Sequence, residues 1–408
     1  MKSFEIPEFY RSPLISAIKN KRKQEDKLKK DFSPTHLDFG SIEIFLARHF
    51  GFCYGVENAI EIAFKTVNEN PGKRIFLLSE MIHNPQVNAD LIKSGVRFIM
   101  DTLGNMFIHW NELSSDDIVI IPAFGTTLET ESRLKEIGID PLQYNTTCPF
   151  VEKVWNRSEQ IGNKGYTIII HGKPGHEETR ATFSHSSRNT PSIVVKDLAE
   201  AEKLEKYIKN TCDMNFFYEE FKGQYSDGFD VKQHFERIGV VNQTTMLASD
   251  TQSIADYLKR VMLNHYALDA DTISSRFADT RDTLCYATND NQSAVMGLLH
   301  TEADLALVVG GYNSSNTSHL VELCEEKLPT FFIENESKMM DAHTISHFDL
   351  HTQTEKMASQ FLPLTSKPRI LITSGASCPD AVVEKVILKL ISFYQETKPM
   401  DVLIKQFE

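Results

Sequence analysis

The chain has 408 residues, 41% hydrophobic and 24% charged, enough for two or three domains that each bury a core, which excludes a disordered or fibrous protein. Its net charge of −13, from 43 basic and 56 acidic residues, excludes non-specific nucleic-acid binding, in which Lys and Arg must neutralise phosphates. No stretch approaches the roughly 20 apolar residues of a membrane-spanning helix, and the N-terminus lacks the apolar core of a secretory signal. A cytoplasmic protein with neither a membrane nor a nucleic-acid partner is expected.

Residues 1–40 carry nine Lys/Arg against six Asp/Glu, with KNKRKQEDKLKK at their centre. They read as a basic extension with a charged helix, solvated on the outside of the fold, or alternatively as a docking surface for an acidic partner. Three stretches of one design follow. In 41–147, Cys53 in GFCYGVENAI introduces a helix, the strand RIFLLSE runs into a loop with His83-Asn84, and DDIVIIPAF runs into GTT and a further helix. In 148–284, Cys148 introduces a helix, YTIIIHG leads to a loop with His176, and RIGVVNQ leads to Thr244-Thr245. The aromatic and charged run at about 205–238 shows no period and reads as an insertion. In 285–392, Cys285 introduces a helix, DLALVVGG leads to Asn313-Ser314-Ser315-Asn316, and PRILITS leads to Ser374-Gly375-Ala376-Ser377. A tail, 393–408, closes the chain.

The spacings agree: His83 lies 30 residues after Cys53, His176 lies 28 after Cys148, and Asn313 lies 28 after Cys285. Alternating strands and helices predict an α/β fold of small parallel sheets covered by helices. Three similar α/β units around a pseudo-threefold axis would bring three thiols and three sets of polar loops to one centre, because ligands collect at the carboxyl ends of parallel strands. Cys212, Cys324 and Cys378 fall outside the pattern and are expected to be packing residues.

Three thiolates without a fourth suit a catalytic zinc with an open position or an iron–sulfur cluster with one iron lacking a protein ligand. Ligands so scattered along the chain favour the larger cofactor. Its chemistry is reductive removal of a hydroxyl, or a dehydration without net electron transfer; a non-enzymatic redox sensor is a third reading. The hydroxyls, amides and imidazoles at the helix starts form a phosphate-binding set needing no Lys or Arg, although each alone is an ordinary N-cap. Glu178, two residues after His176, could deliver a proton to a departing hydroxyl, directly or through Thr244. The alternative is that Glu177 and Glu178 complement the helix dipole, worth about 0.3–1 kcal/mol.

Together GFCYGVENAI, IHNPQVN, TTCPFVEKVW, HGKPGHEET, NQTTM, CYATNDNQSAV, NSSNTSHL and SGASCPD, in this order from about residue 44 to about residue 390, resemble the 4-hydroxy-3-methylbut-2-enyl diphosphate reductase (LytB/IspH) family. The resemblance implies a trefoil of three α/β domains around an oxygen-sensitive 4Fe–4S cluster. It also implies an iron–sulfur oxidoreductase that converts (E)-4-hydroxy-3-methylbut-2-enyl diphosphate to isopentenyl and dimethylallyl diphosphates, the last step of the non-mevalonate isoprenoid pathway. Matched motif by motif, Cys53, Cys148 and Cys285 would hold the cluster, leaving one iron open for the substrate hydroxyl. Glu178 would be the proton source, assisted by Thr244, with His176 near both the diphosphate and this relay. The diphosphate would be held by His83, His176, Thr245, Ser314, Ser315, Asn316 and Ser377.

One position departs from the family pattern. Many bacterial members carry a histidine in an AHG motif, where PAFGTT places Phe124, and a phenyl ring donates no hydrogen bond; Thr126, Thr127 and Lys173 are candidates for that role. PAFG, HGK, NQTTML and NTSHL resemble the plant and cyanobacterial branch, which implies a ferredoxin- or flavodoxin-type electron donor. The extension lacks plastid-targeting character, so a bacterial cytoplasmic enzyme is expected, and a monomer, since no coiled-coil heptads are present.

Overall fold

The computed structural model describes residues 4–278, 283–363 and 367–407. Its strands, in chain order, are β1 Thr35–Asp38, β2 Glu43–Leu46, β3 Ile75–Leu77, β4 Arg97–Phe98, β5 Ile118–Ile120, β6 Thr167–His171, β7 Ser192–Val195, β8 Ile238–Asn242, β9 Phe277–Ala278, β10 Leu305–Val309, β11 Thr330–Ile333, β12 Thr344–Asp349, β13 Thr354–Ser359 and β14 Arg369–Ser374. The short Ile/Val/Leu runs are buried at every residue in β6, β8 and β10, as parallel strands covered on both faces require.

Three sheets result: seven strands in the order β1-β2-β14-β10-β11-β12-β13, three in the order β4-β3-β5, and four in the order β7-β6-β8-β9. The two smaller sheets are wholly parallel. The largest is parallel from β2 to β11 and antiparallel at both edges. The fold is α/β, as expected.

The chain divides into two compact units. The first, Met1–Glu61, Ile82–Ala89 and Tyr286–Glu408, holds the seven-stranded sheet; the second, Ile62–Met81 and Asp90–Cys285, holds the other two. This division differs from the boundaries 41–147, 148–284 and 285–392. Strand β2 runs parallel to β14, with Ile44 beside Ile370 and Leu46 beside Ile372, so the opening of the first stretch belongs to the sheet of the last. Local periodicity reports a strand's faces and says nothing about a partner at the far end of the chain.

In the first unit, the helix Pro13–Glu25 begins at Ser12, whose hydroxyl accepts the Ile15 amide, with Pro13 at the first helical position. Leu14, Ile15 and Ile18 are buried in one core with residues of β2, β10 and β14. The basic extension is therefore part of the fold, which corrects the expectation of a solvated arm. Three apolar residues on one stripe are enough to dock a helix whose other faces are charged. The tail folds too: the helix Met400–Ile404 places Leu403 in the same core.

In the second unit, the stretch 205–238 contains the helices Asn215–Glu220 and Val231–His234. Phe217, Phe221, Phe229 and Phe235 share a core with Ile169, Ile193 and Val240 of the four-stranded sheet. Phe217 lies 5.2 Å, 5.3 Å and 5.6 Å, ring centre to ring centre, from the other three. Packing among rings replaces the periodicity that the sequence lacks.

Candidate functional site

In the first unit, three separated stretches interlock at the carboxyl ends of β10 and β14. The amide of Cys53 donates to the Ala376 carbonyl at 3.2 Å. The Ala376 amide donates to Asn316 Oδ1 at 2.8 Å, and the Ser377 hydroxyl donates to the His83 carbonyl at 3.1 Å. The His83 backbone passes so close to Gly311 that a Cβ there would stand 2.4 Å from its carbonyl oxygen. Ser314 caps the helix Ser315–Glu325, accepting the Thr317 amide and hydroxyl. Cys53, His83, Ser314, Ser315, Asn316 and Ser377 thus meet in one place.

All of these except Cys53 are buried, and buried polar atoms normally have partners. Asn316 Nδ2 and the Thr373 hydroxyl have none among the described residues. The open Asn316 amide in the first turn of an eleven-residue helix makes a place for an anion that needs no cationic side chain.

In the second unit, the loop after β6 ends at His176, which caps the helix Glu177–Ser187 by accepting the Glu178 amide on Nδ1 at 3.2 Å. A neutral His176 ring therefore carries its proton on Nε2 and can donate it to an anion. Glu178 is buried, and its Oε1 accepts the Thr244 amide. Burial pushes its carboxyl up to about 7, against the opposing pull of the amide and hydroxyl donors of Thr244. Burial pushes Glu177 up to about 8, with the Ser79 hydroxyl on its Oε1 pulling the other way. Burial opposes ionisation of both carboxyls, which weakens the reading of this pair as charges that complement the helix dipole.

The cysteines of this unit join the same run of contacts. The Cys285 amide approaches the Thr244 carbonyl at 3.4 Å, and the Cys148 amide donates to the Ala123 carbonyl at 2.9 Å. Phe124, the next residue, sets its ring edge-on to His176, with centroids 5.6 Å apart and planes at 85°. It packs against the imidazole where the resemblance led one to look for a hydrogen-bond donor. Thr127 is engaged as the N-cap of the helix Leu128–Ile137. Thr245 is placed by Gln243, whose Nε2 donates to its hydroxyl at 2.7 Å while Oε1 accepts the Thr179 hydroxyl at 2.9 Å. Gln243 was overlooked in the sequence, although it stands in the NQTTM run.

None of the six cysteines forms a disulfide. Cys53 and Cys285 immediately precede the helices Tyr54–Glu69 and Tyr286–Leu298, and Cys148 caps Pro149–Gly162. Burial pushes the Cys53 thiol up, so its ionisation calls for a bound cation. Soft thiol donors, each at a helix start, fit an iron–sulfur group. Among the described residues, no three His, Cys, Asp or Glu side chains are gathered closely enough to hold a single metal ion. Cys324 and Cys378 are buried and pushed up to about 12 by burial, and Cys212 packs half-buried against the aromatic core; these three behave as packing residues.

Residues 44–391 match the family described as LytB protein. A protein named 4-hydroxy-3-methylbut-2-enyl diphosphate reductase from Picosynechococcus sp. is 38% identical over 361 residues, covering 88% of this chain and 86% of that one. One of the same name from Prochlorococcus marinus is 37% identical over 404 residues, covering 97% of this chain and 96% of that one. The solved structure of the E-1-hydroxy-2-methyl-but-2-enyl-4-diphosphate reductase from Plasmodium falciparum superposes with a TM-score of 0.62 at 22% identity, covering 86% of this chain and 88% of that one. That last likeness is one of fold.

Proposed function

This chain belongs to the LytB family of 4-hydroxy-3-methylbut-2-enyl diphosphate reductases, and from that premise we propose that it reductively removes the hydroxyl of (E)-4-hydroxy-3-methylbut-2-enyl diphosphate. The products are isopentenyl and dimethylallyl diphosphates, at the end of the non-mevalonate isoprenoid pathway. The enzyme is an iron–sulfur oxidoreductase. Its cofactor is one 4Fe–4S cluster held by Cys53, Cys148 and Cys285, with one open iron. When bound, the cluster supplies electrons and Lewis acidity toward the substrate hydroxyl.

The chain's own residues do the rest. His83, Ser314, Ser315, Asn316 and Ser377 hold the diphosphate through hydroxyl, amide and imidazole donors, and His176 and Thr245 are assigned to the same anion. Glu178 is the proton source. With the Thr244 amide on Oε1, its acidic proton sits on Oε2. Once that proton leaves, the amide and hydroxyl of Thr244 stabilise the carboxylate. The enzyme works as a monomer in the cytoplasm with a ferredoxin- or flavodoxin-type donor.

The observation that carries this reading is Glu178, a buried carboxyl whose titration is pushed up to about 7, in direct contact with Thr244, whose carbonyl faces the Cys285 amide. The test is anaerobic purification followed by a substrate assay. The protein should be brown with about four irons and four sulfides per chain, and should consume the hydroxylated diphosphate when given reduced methyl viologen. A colourless, iron-free product after anaerobic reconstitution overturns the reading.

A further inference from the structure

We propose that Trp155 and His185 are positioning residues for the anion contact of His176: stacked on each other, they fasten the turn 123–127, and Phe124 in that turn sets the aim of the His176 imidazole. The proposal rests on the assignment of His176 to the diphosphate.

The first line of support is how the turn is fastened, wholly within the second unit. Trp155 lies on the helix Pro149–Gly162, which Cys148 caps, and His185 lies in the last turn of the helix Glu177–Ser187, which His176 caps. Their rings lie face to face, with centroids 3.7 Å apart and planes at 8°. Ring pairs left to themselves prefer offset or edge-to-face arrangements, and here polar contacts at both ends hold the stack. The Trp155 indole N–H donates to the Thr182 hydroxyl at 3.1 Å, and His185 Nε2 donates to the Thr126 carbonyl at 3.1 Å. Burial holds His185 below the usual imidazole range, so the ring is neutral and that N–H is its one ring proton on nitrogen. Gly125 fits the turn to the stack: its φ is +75°, and a Cβ there would stand 2.6 Å from the Trp155 ring. One residue beyond the turn, the Leu128 amide donates to the Ser184 hydroxyl at 3.0 Å.

The second line is what the turn touches. The Ala123 carbonyl accepts the Cys148 amide at 2.9 Å, so Phe124 sits between two anchored residues. Its ring meets the His176 ring with centroids 5.6 Å apart and planes at 85°. His176 Nδ1 accepts the Glu178 amide at 3.2 Å. An imidazole hinged on that bond can still tilt, and the phenyl ring is a stop against the tilt. The direction of Nε2, which carries the proton of the neutral ring, therefore depends on where the turn is held. A misplacement of about 1 Å can cost up to about 10²-fold, so the stack acts on the anion through Phe124 and His176.

The experiment uses the holoenzyme, its Trp155→Ala, Trp155→Phe, His185→Ala and His176→Ala variants, and the two doubles that combine Trp155→Ala or His185→Ala with His176→Ala. Read for each are kcat and KM with reduced methyl viologen, Kd for inorganic diphosphate, and iron content. Trp155→Ala and His185→Ala should each raise KM and the diphosphate Kd about tenfold, with kcat and iron content within about twofold of the wild type. Trp155→Phe, which keeps a ring against His185, should stay within about threefold in both constants. With His176 already replaced, adding Trp155→Ala or His185→Ala should change KM and Kd by less than about twofold, because the donor that the stack aims is gone. Wild-type KM and Kd in Trp155→Ala and His185→Ala overturn the proposal. An equal loss with and without His176, or a loss of kcat and iron in step with KM, overturns it as well by making the stack a support of the whole fold. If Trp155→Ala does not fold, the His185→Ala cycle decides by the same criteria. Wild-type KM and Kd in His176→Ala are a separate result, which refutes the assignment of His176 and the proposal with it. Absence of turnover in the wild type refutes the proposed function, and the diphosphate Kd then decides the role of the stack.

Discussion

The loops after β6 and β10 are built alike and equipped differently. Each strand is followed by a glycine, and each helix that follows carries a threonine in its first turn. A Cβ on Gly172 would stand 2.6 Å from Thr179 Oγ1, and one on Gly310 would stand 2.7 Å from Thr317 Oγ1. The same missing side chain lets the same hydroxyl-bearing turn close onto the strand. The caps then diverge. Ser314 is followed by Ser315 and Asn316, neutral groups that suit an anion; His176 is followed by Glu177 and Glu178, acids that suit a proton. A helix N-terminus favours ionised acids, so neutral carboxyls there require burial strong enough to win, and the upward shift of both groups says that it does. In the proposed function, one scaffold serves two chemistries by changing two or three residues after the cap.

The largest expected effect tests the acidic side of this contrast. Glu178→Gln should lower kcat by about 10²–10⁴-fold, with iron content and KM little changed; near-normal turnover would remove Glu178 from the relay. On the neutral side, Asn316→Ala should act on binding. Loss of a hydrogen bond to a charged group, about 1.5–3 kcal/mol, predicts kcat/KM lower by about ten- to a hundredfold through KM, and a drop confined to kcat would erase the distinction between the two loops. The shared scaffold predicts matched costs. Gly172→Ala and Gly310→Ala should each destabilise by about 1–3 kcal/mol in urea unfolding, and a clear inequality would mean that the two turns are not equivalent.

The smallest effect is in pH. Glu178 ionises near its ordinary value of 4.5 when unfolded and at about 7 when folded, so the folded protein holds its proton more tightly. That stabilisation is complete below about 4.5, declines as pH rises to about 7, and changes no further above it. Tm measured from pH 5 to 8 should therefore fall less steeply in Glu178→Gln than in the wild type. Parallel curves would count against burial as the cause.

Much of this was legible in the sequence. Apolar runs such as TIIIH and LALVV announce buried strands, and closely similar spacing from each cysteine to its polar loop reveals three stretches of one design. What stayed hidden has physical reasons. The burial of Leu14, Ile15 and Ile18 is masked by the lysines around them. The core of 205–238 is built from rings with no helical or strand period. The pairing of β2 with β14 leaves no local trace. At the site, Gln243 acts by holding its neighbours Thr245 and Thr179, and such support follows from three-dimensional contacts that no short motif records.

The position of β2 carries a consequence for how the protein is made. From the moment it is synthesised, β2 has β1 as a hairpin partner, yet its other neighbour, β14, emerges only with residues 369–374. The amide of Cys53 waits longer still, for the carbonyl of Ala376. Pairings so distant along the chain form late, and Cys53 stays unanchored until nearly the whole polypeptide has left the ribosome. The proposed ligation of a cluster by Cys53, Cys148 and Cys285 therefore predicts loading after translation, and a chain truncated before Ala376 should not take up the cluster.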